Sequence, residues 1–466
     1  MPQHWLPRSW KLFRDAIRGV PMDFTTAPIN TAIVMLAIPM IMEMIMESIF
    51  ALVDVFWVGH LGANAIASVG LTESMMMIIY SGAMGVSIGV MALVARRTGE
   101  KDPEGASRTA AQGIVLALAI ALTIGLFGAI FAPDLLRIMG ADDAVIATGS
   151  NFTRVMLGGN TTVFLLFLIN AIFRGAGDAA QAMRVLWLGN ILNIVLGPCF
   201  IFGVGPIPAL GVTGAAVATN IGRGCAVLYQ IYLLTNGGSK IAIGRKHLGI
   251  DFSVMASVLR LSGSVTLQML ITMTSYVGVM RILSTFGSAP LAGYTIGFRI
   301  LMFAMLPSFG LSNAAATLVG QNLGAGHPER AEQSVWRACF INAGFLGVAG
   351  LFFLIGANFL VGLFTQDPEV LPYGVTYLRI ITSGFLFYAF GMVLSQSFNG
   401  AGDTRTPTLI NLFVFWILQL PLAWILSHHT GLGPSGVFIT LALCFSVFAV
   451  ISAILFRRGG WKRTQV

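Results

Sequence analysis

Apolar residues fill long stretches of this chain, without the alternation that marks a half-buried β-strand. Residues 113–132 and 340–360 are mostly apolar, and each stretch of about 20 residues is long enough to cross roughly 30 Å of hydrocarbon as an α-helix. A membrane β-barrel would instead show segments of about ten residues with alternating polarity. The pattern therefore predicts an all-α integral membrane protein.

Twelve such segments are separated by short polar or glycine-rich stretches. The first six predicted spans are residues 31–58, 66–95, 107–132, 146–172, 180–203 and 211–234. The second six are residues 256–285, 291–320, 332–360, 371–397, 405–427 and 434–457.

The two sets of spans are copies of one another. Phe173-Arg-Gly-Ala-Gly-Asp178 aligns with Phe398-Asn-Gly-Ala-Gly-Asp403, and Pro103 aligns with Pro328 at the same offset (328 − 103 = 225). Self-similarity at a fixed offset indicates a duplicated structural unit. Because each copy has an even number of spans, we expect two six-helix lobes related by a pseudo-two-fold axis along the membrane normal.

The distribution of positive charge predicts the orientation. Lys and Arg accumulate in the second and fourth loops, in the linker between the copies and at the C-terminal end. Cytoplasmic loops carry such an excess, so we expect both termini in the cytoplasm and the protein in a bacterial inner membrane. The predicted parts are a tail at 1–30, a first lobe at 31–235, a linker at 236–255, a second lobe at 256–457 and a tail at 458–466.

Composition narrows the function. Only 10% of the residues are charged, against roughly 25% in soluble domains, so the lipid bilayer is the expected partner. The net charge of +8 is accounted for by the cytoplasmic loops and calls for no nucleic acid. An intramembrane hydrolase would need paired catalytic aspartates, a His-Glu-x-x-His motif or a Ser/His pair inside the spans. The sequence has none of these, so neither an enzyme nor a cofactor or metal site is expected.

Acidic residues inside the predicted spans are the main candidates for function, since an unpaired charge at mid-membrane costs several kcal/mol. Glu43, Glu47 and Asp54 in the first span are spaced by four and seven residues, which places them on one helix face. Glu73 follows in the second span.

The repeat offers a control for these four residues. Their counterparts in the second copy are Gln268, Thr272, Val279 and Phe298. This asymmetry suggests a proton or cation site in the first lobe only. The alternative is that Glu43 or Glu73 lies near a water interface or forms a structural bridge with Arg223 or Arg299.

Two further features suit a transport cavity. Pro39 lies one turn before the acidic face and lacks an amide hydrogen, so it predicts a hinge, although many membrane prolines are static. Methionine and aromatic side chains are adaptable binding surfaces as well as ordinary packing residues. The candidate lining residues of a substrate cavity are Met46, Met76, Phe164, Gln268 and Tyr388.

Three segments resemble the multidrug and toxic compound extrusion (MATE) family. They are Leu36-Ala-Ile-Pro-Met40, Leu52-Val-Asp-Val-Phe-Trp-Val-Gly-His-Leu-Gly62 and Asn190-Ile-Leu-Asn-Ile-Val-Leu-Gly-Pro198. The resemblance covers essentially the whole chain and is nearest to the DinF-type branch. It implies two six-helix lobes around a central cavity and export of varied, often cationic compounds against inward flow of protons or sodium.

The resemblance also implies three coupling positions in the first lobe: Asp54, Asn193 and Thr219. The branch commonly has a second aspartate where this chain has Gly197. Our hypothesis is that Glu47 replaces it electrostatically, with coupling to protons rather than sodium. The alternatives are a flippase for lipid-linked precursors and a passive channel, and a monomer is expected.

Overall fold

The computed structural model describes residues 5–206 and 208–465. The first eight helices are α1 (Trp5–Arg18), α2 (Ile29–Gly59), α3 (Ala63–Gly99), α4 (Pro103–Ile138), α5 (Asp143–Gly158), α6 (Asn160–Gly175), α7 (Ala179–Phe202) and α8 (Val212–Thr235). The second eight are α9 (Phe252–Ser284), α10 (Ser288–Gly324), α11 (Pro328–Gly362), α12 (Leu371–Ser383), α13 (Phe385–Gly400), α14 (Arg405–Asn411), α15 (Gln419–His428) and α16 (Pro434–Arg457). The predicted all-α fold is confirmed.

The helices are long enough to span a bilayer. In the described part of the chain, ten helical segments are long and apolar enough to cross a bilayer, and α12 with α13, bent by 61° at their junction, together have the length and hydropathy of one more. α5 and α6 together make one of these spans. α8, which corresponds to the sixth predicted span, is not among these segments. Its 24 residues include the polar Asn220, Arg223 and Gln230, which lower its hydropathy.

The chain forms two compact units. The first consists of residues up to Pro21 with Met42–Gly263, and the second of Met22–Ile41 with the chain from Ser264 onward. The predicted lobes assign the whole first span to the first lobe, whereas the contacts divide α2 between Ile41 and Met42. Pro39 therefore lies next to the point at which α2 leaves one unit for the other.

Each part of α2 packs tightly within its own unit. In the second unit, a Cβ added at Gly310 of α10 would lie 2.8 Å from the carbonyl oxygen of Met40, so only glycine permits this approach. In the first unit, the Trp187 indole of α7 donates a hydrogen bond of 3.1 Å to the carbonyl oxygen of Met42.

The internal repeat recurs in the backbone conformation. Gly62 before α3 and Gly287 before α10 have φ angles of 91° and 102°, at the offset of 225 found in the sequence. Gly211 and Gly433, before α8 and α16, both have φ of 56°, at an offset of 222 (433 − 211). These left-handed angles favour glycine. The shorter offset places the slip between copies in the loop before the last span of each.

A pair of surface ion pairs also follows the repeat. Glu104 at the start of α4 binds Lys246, with 2.7 Å between Nζ and Oε2. Its counterpart Glu329, at the start of α11, binds Lys462 at 3.3 Å. Lys462 also donates a hydrogen bond to the carboxylate of Glu332, and this bond raises the pKa of the Lys462 ammonium above its ordinary value. Each unit thus ties the segment after its last span to its third span.

Candidate functional site

Glu43 forms a buried ion pair in the first unit. Its Oε1 accepts hydrogen bonds from Arg174 Nη1 at 2.8 Å and from Asn170 Nδ2 at 3.0 Å, both on α6. The side chains of Glu43 and Arg174 are 2% and 6% exposed. Gln230 of α8 holds Asn170 in place through a 2.7 Å hydrogen bond to its Oδ1. Charge-assisted hydrogen bonds of this kind stabilise the ionised carboxylate.

Glu47, one turn further along α2, lies between α7 and α8. Its Oε2 accepts a 3.0 Å hydrogen bond from Asn190 Nδ2. Its Oε1 lies 3.8 Å from Arg223 Nη2, an ion pair without a direct hydrogen bond. The Arg223 guanidinium instead donates to the Tyr80 hydroxyl at 3.1 Å and lies over the Phe50 ring.

Asp54 differs from the two glutamates. Its side chain is half-buried, and no described residue is recorded as a hydrogen-bond donor to its carboxylate. Arg223 is the cation that interacts electrostatically with Asp54, and it interacts in the same way with Glu47. Arg223 forms its ion pair with Glu47, and Asp54 lies two helical turns further along α2.

Asn193 and Thr219 meet where α7 crosses α8. Asn193 Nδ2 donates a 2.8 Å hydrogen bond to Thr219 Oγ1, which donates to the carbonyl oxygen of Ala215. Gly189 and Gly222 allow the helices this close approach, since a Cβ at Gly222 would lie 2.7 Å from the carbonyl oxygen of Gly189. Small residues at a crossing are typical of membrane helix packing.

The acid cluster comprises three carboxylates, those of Glu43, Glu47 and Asp54, and two guanidiniums, those of Arg174 and Arg223. With all five groups ionised, the cluster has a net charge of −1. A buried excess charge is costly unless it is paired, faces water or is neutralised. The cluster can therefore take up one proton or one monovalent cation.

Arg174 is one of the positive charges predicted in or near the fourth loop, and the structure places it in the last turn of α6, next to that loop. Sequence reasoning missed that its side chain is buried against Glu43. Gln230 and Tyr80 were not singled out either. One signal was available for Arg174: the repeat replaces it with Asn399, just as it replaces Glu43 with Gln268.

The remaining predicted residues lie elsewhere. The Glu73 side chain is exposed on α3. Pro39 lies inside the continuous helix α2. Met46, Met76 and Phe164 are buried in the first unit, with at most 6% of each residue exposed. Gln268 and Tyr388 line a cavity in the second unit.

The second unit repeats the polar cluster without its charges. Gln268 Nε2 donates to Ser395 Oγ at 3.2 Å, and Gln268 Oε1 accepts from Asn399 Nδ2 at 3.2 Å. These residues occupy the positions of Glu43, Asn170 and Arg174 in the repeat. The same helix contacts are thus made by an ionic group in one unit and by neutral hydrogen bonds in the other.

The MatE family profile matches residues 39–199 and 264–425, one stretch in each copy of the repeat. Together the two stretches cover more than half of the chain. The chain belongs to the MatE family.

Relatives of this MatE protein extend over nearly its whole length. The probable multidrug resistance protein YoeA of Bacillus subtilis is 24% identical and aligns over 92% of this chain and 93% of its own. The FAD transporter of Shewanella oneidensis is 25% identical over 87% of this chain and 90% of its own. A solved structure, described as the outward-facing conformation of a multidrug resistance MATE family transporter, is 28% identical, covers 95% of this chain and 98% of that one, and has a TM-score of 0.88.

These findings confirm the predicted family and the fold class of a multi-pass, all-α MATE transporter. Members of the family are transporters, so the prediction that the chain is not an enzyme is confirmed as well. The relatives do not single out the DinF-type branch.

Proposed function

We propose that this MatE transporter exports cationic or amphipathic compounds from a bacterial cell by antiport with protons. Two similar proteins have names that refer to multidrug resistance. The observation that carries the proposal is the net charge of −1 in the acid cluster of the first unit. A transporter that exchanges a cation for a proton needs one acidic group whose charge is not permanently compensated.

Asp54 is the proposed proton carrier. Glu43 and Glu47 each accept a hydrogen bond from a guanidinium or amide donor. Asp54 receives no such bond from the described residues. Its protonation leaves two carboxylates for two guanidiniums, so that the cluster becomes neutral.

Arg223 is the proposed link between protonation and movement. When Asp54 is ionised, the guanidinium is shared between Asp54 and Glu47. When Asp54 binds a proton, Arg223 is left to Glu47, and the 3.8 Å ion pair can shorten. Because Glu47 and Asp54 lie on α2, this change acts on the helix that contains Pro39, our proposed hinge.

The other coupling residues take supporting parts in this proposal. Asn193 and Thr219 hold α7 against α8 and thereby position Arg223. Glu43 holds α2 on α6. Glu73 stays a candidate for the exposed side of the pathway, and the substrate cavity is proposed to include Gln268 and Tyr388.

Protons fit the acid cluster better than sodium does. A sodium ion needs several oxygen ligands, as hard cations generally do. Glu43 Oε1 and Glu47 Oε2 already accept hydrogen bonds from nitrogen donors, and Glu43 Oε2 is buried without a partner among the described residues. A proton needs only one carboxylate oxygen, and Asp54 supplies it.

A flippase for lipid-linked precursors is the alternative from the same superfamily, and a FAD transporter is among the relatives. Both kinds of substrate carry pyrophosphate, which favours a cationic site. Here the two buried arginines of the acid cluster are outnumbered by carboxylates, which favours a cationic substrate instead. Loop charges support an inner-membrane protein with both termini in the cytoplasm, and we propose a monomer.

The proposal is tested in everted membrane vesicles, across whose membrane ion gradients are imposed. Uptake of a fluorescent cation is followed under a proton gradient, under a sodium gradient and with neither. We expect proton-driven accumulation against the substrate gradient. Accumulation under the sodium gradient alone would contradict proton coupling, and equilibration without accumulation would indicate a passive channel.

A further inference from the structure

A groove of about 430 Å³ lies on the surface of the second unit, between α11, α13 and α16. Its apolar walls include Leu386, Phe387 and Phe390 of α13 and Val450 and Ile454 of α16. Leu386, Val450 and Ile454 are each about half exposed. Lipid tails are as apolar as leucine, so exposed side chains of this kind on a membrane-spanning helix are solvated by lipid. The groove therefore opens to the bilayer.

One end of this groove is charged. Ala449, Ala453 and Arg457 line it and are spaced by four residues, which places them on one face of α16. The guanidinium of Arg457 lies 5.3 Å from the centroid of the Trp336 ring on α11, which also lines the groove. The small side chains of the two alanines thus lead along the groove to an arginine that is stacked on an indole.

The neighbouring carboxylates do not neutralise Arg457. Glu332 binds Lys462 at 2.6 Å and accepts a hydrogen bond of 3.5 Å from the Trp336 indole. Glu329 binds the same lysine at 3.3 Å. Among the described residues, no carboxylate forms an ion pair with Arg457, whose side chain is exposed. The groove therefore combines an apolar surface with one cation that is available to a ligand.

The length of the groove matches one leaflet of a bilayer. Ala449 and Arg457 are eight residues apart (457 − 449), which is about 12 Å along an α-helix. The hydrocarbon of one leaflet is about 15 Å thick, half of the roughly 30 Å of the whole core. Tryptophan and arginine side chains at the ends of spans favour the headgroup region. In our proposed orientation, Trp336 and Arg457 lie at the headgroups of the cytoplasmic leaflet.

The repeat shows that the fold does not require this charged end. Trp336 corresponds to Ala111 at the offset of 225, and Arg457 corresponds to Thr235 at the offset of 222 that holds for the last span of each copy. Neither the indole nor the guanidinium is therefore present at the equivalent positions of the first unit. The pair is a property of the second unit alone.

We propose that this groove is a binding site for one anionic phospholipid of the cytoplasmic leaflet. The phosphate binds the guanidinium of Arg457, and an acyl chain lies along Ala453 and Ala449 against the apolar residues of α13. Basic pockets between membrane helices on the cytoplasmic side bind anionic headgroups in this way. The inference goes beyond the proposed export function and does not depend on it.

The charge of Arg457 disfavours other occupants of the groove. It repels a cationic export substrate. A two-fold symmetric contact with a second copy would bring Arg457 close to the same residue of that copy at the same depth, which like charges oppose. A zwitterionic phospholipid fills the apolar part equally well but carries a cation of its own, so it is the rival that the test has to exclude.

The test compares two phospholipids with identical chains. Dioleoyl phosphatidylglycerol is anionic, and dioleoyl phosphatidylcholine has no net charge. Each is titrated into the purified, detergent-solubilised protein, and native mass spectrometry gives the dissociation constant of the first bound lipid. Glycerol 3-phosphate, a headgroup without chains, is added as a competitor. Arg457→Gln removes the proposed phosphate ligand, and Arg458→Gln is the matched control, because Arg458 is also exposed but does not line the groove.

Wild type should bind phosphatidylglycerol about fivefold more tightly than phosphatidylcholine, which is the effect of one cation near a membrane surface. Arg457→Gln should abolish this preference, and Arg458→Gln should keep it. Arg457→Lys retains the charge and should retain most of the preference, which guards against a variant that simply fails to fold. Ala453→Phe fills the groove and should weaken the binding of both lipids by a similar factor.

Equal binding of the two lipids by wild type would overturn the proposal. An equal loss of preference in Arg457→Gln and Arg458→Gln would refute it as well, because it would indicate a diffuse surface charge. Displacement of the lipid by glycerol 3-phosphate would indicate a site for free phosphate compounds instead. Unchanged lipid binding in Ala453→Phe would show that the chain lies elsewhere. None of these measurements uses an ion gradient, so each of these results would leave the proposed export function standing.

Discussion

The repeat supplies a variant that tests what the buried ion pair between Glu43 and Arg174 contributes. Replacing both residues by those at the equivalent positions of the second unit gives Glu43→Gln with Arg174→Asn. In the second unit these two amides bind each other at 3.2 Å between the corresponding helices. The double substitution should therefore keep a hydrogen bond between α2 and α6 while removing both charges.

The single substitutions should be much more damaging. The Glu43 and Arg174 side chains are 2% and 6% exposed, so either one alone is a buried charge without its partner. Breaking a buried pair from one side costs about 3–5 kcal/mol of folding free energy. Replacing both partners by neutral, hydrogen-bonded groups avoids this penalty. We expect the double variant to be more stable than either single variant. If the two substitutions acted independently, their stability losses would add, and the double variant would be the least stable of the three.

The assay is the thermal unfolding of the four purified proteins in one detergent, followed by tryptophan fluorescence. Each single variant should lose thermal stability clearly, and the double variant should recover most of it. The control is the exposed pair Lys246 and Glu104, with side chains 68% and 51% exposed. For this pair, the stability losses of the two single substitutions should add up to the loss of the double substitution within about 1 kcal/mol.

A double variant as unstable as the sum of the single variants would refute the view that the pair acts by mutual neutralisation. Vesicle efflux of the same four proteins gives a second readout. A stable double variant that exports with a proton gradient assigns Glu43 a structural part. A stable double variant without export would place Glu43 among the groups that carry the proton.

Two further substitutions address the charge of the acid cluster. Glu47→Gln should shift the pH dependence of efflux to lower pH, because the positive charge of Arg223 then acts on Asp54 alone and favours its ionised form. Efflux is compared with wild type across pH 5–9, and an unchanged profile would remove Glu47 from coupling. Gly197→Asp should raise the number of protons exchanged per substrate from about one to about two, because it adds one more intramembrane carboxylate. The site has room for a side chain, since an added Cβ meets only Trp57 Cδ1, at 3.8 Å, and the buried Trp57 Nε1 has no partner. Gly197→Asn is the neutral control, and an identical proton count in both variants would contradict the reasoning.

The sequence predicted the features that depend on pattern and repetition. Long apolar stretches gave the spans, and the offset of 225 identified Glu43 and Gln268 as equivalent positions with different charge. The backbone of Gly62 and Gly287 follows the same offset. Such features are local or periodic, so they can be read from the order of residues.

The contacts that decide the chemistry could not be predicted in this way. Arg174 precedes a glycine-rich turn, and only the packing of α2 on α6 makes it the partner of Glu43. Residues Leu412–Leu418, after Asn411, form a π-helix, and the Ser275 hydroxyl of another helix donates a hydrogen bond to the carbonyl oxygen of Phe415 within it. Pro421, in the span that contains this π-helix, was a sign of irregular backbone but did not specify its form. Tertiary contacts between distant segments determine these details.

The most direct measurement counts the protons that the purified transporter releases when a substrate cation binds, in weakly buffered solution with a pH indicator. Wild type should release close to one proton per cation bound, over the pH range in which Asp54 is protonated without substrate. Asp54→Asn should bind the cation with no proton release, while Asp142→Asn, a change at the exposed start of α5, should behave as wild type. Proton release retained in Asp54→Asn would contradict the claim that this carboxylate carries the coupled proton.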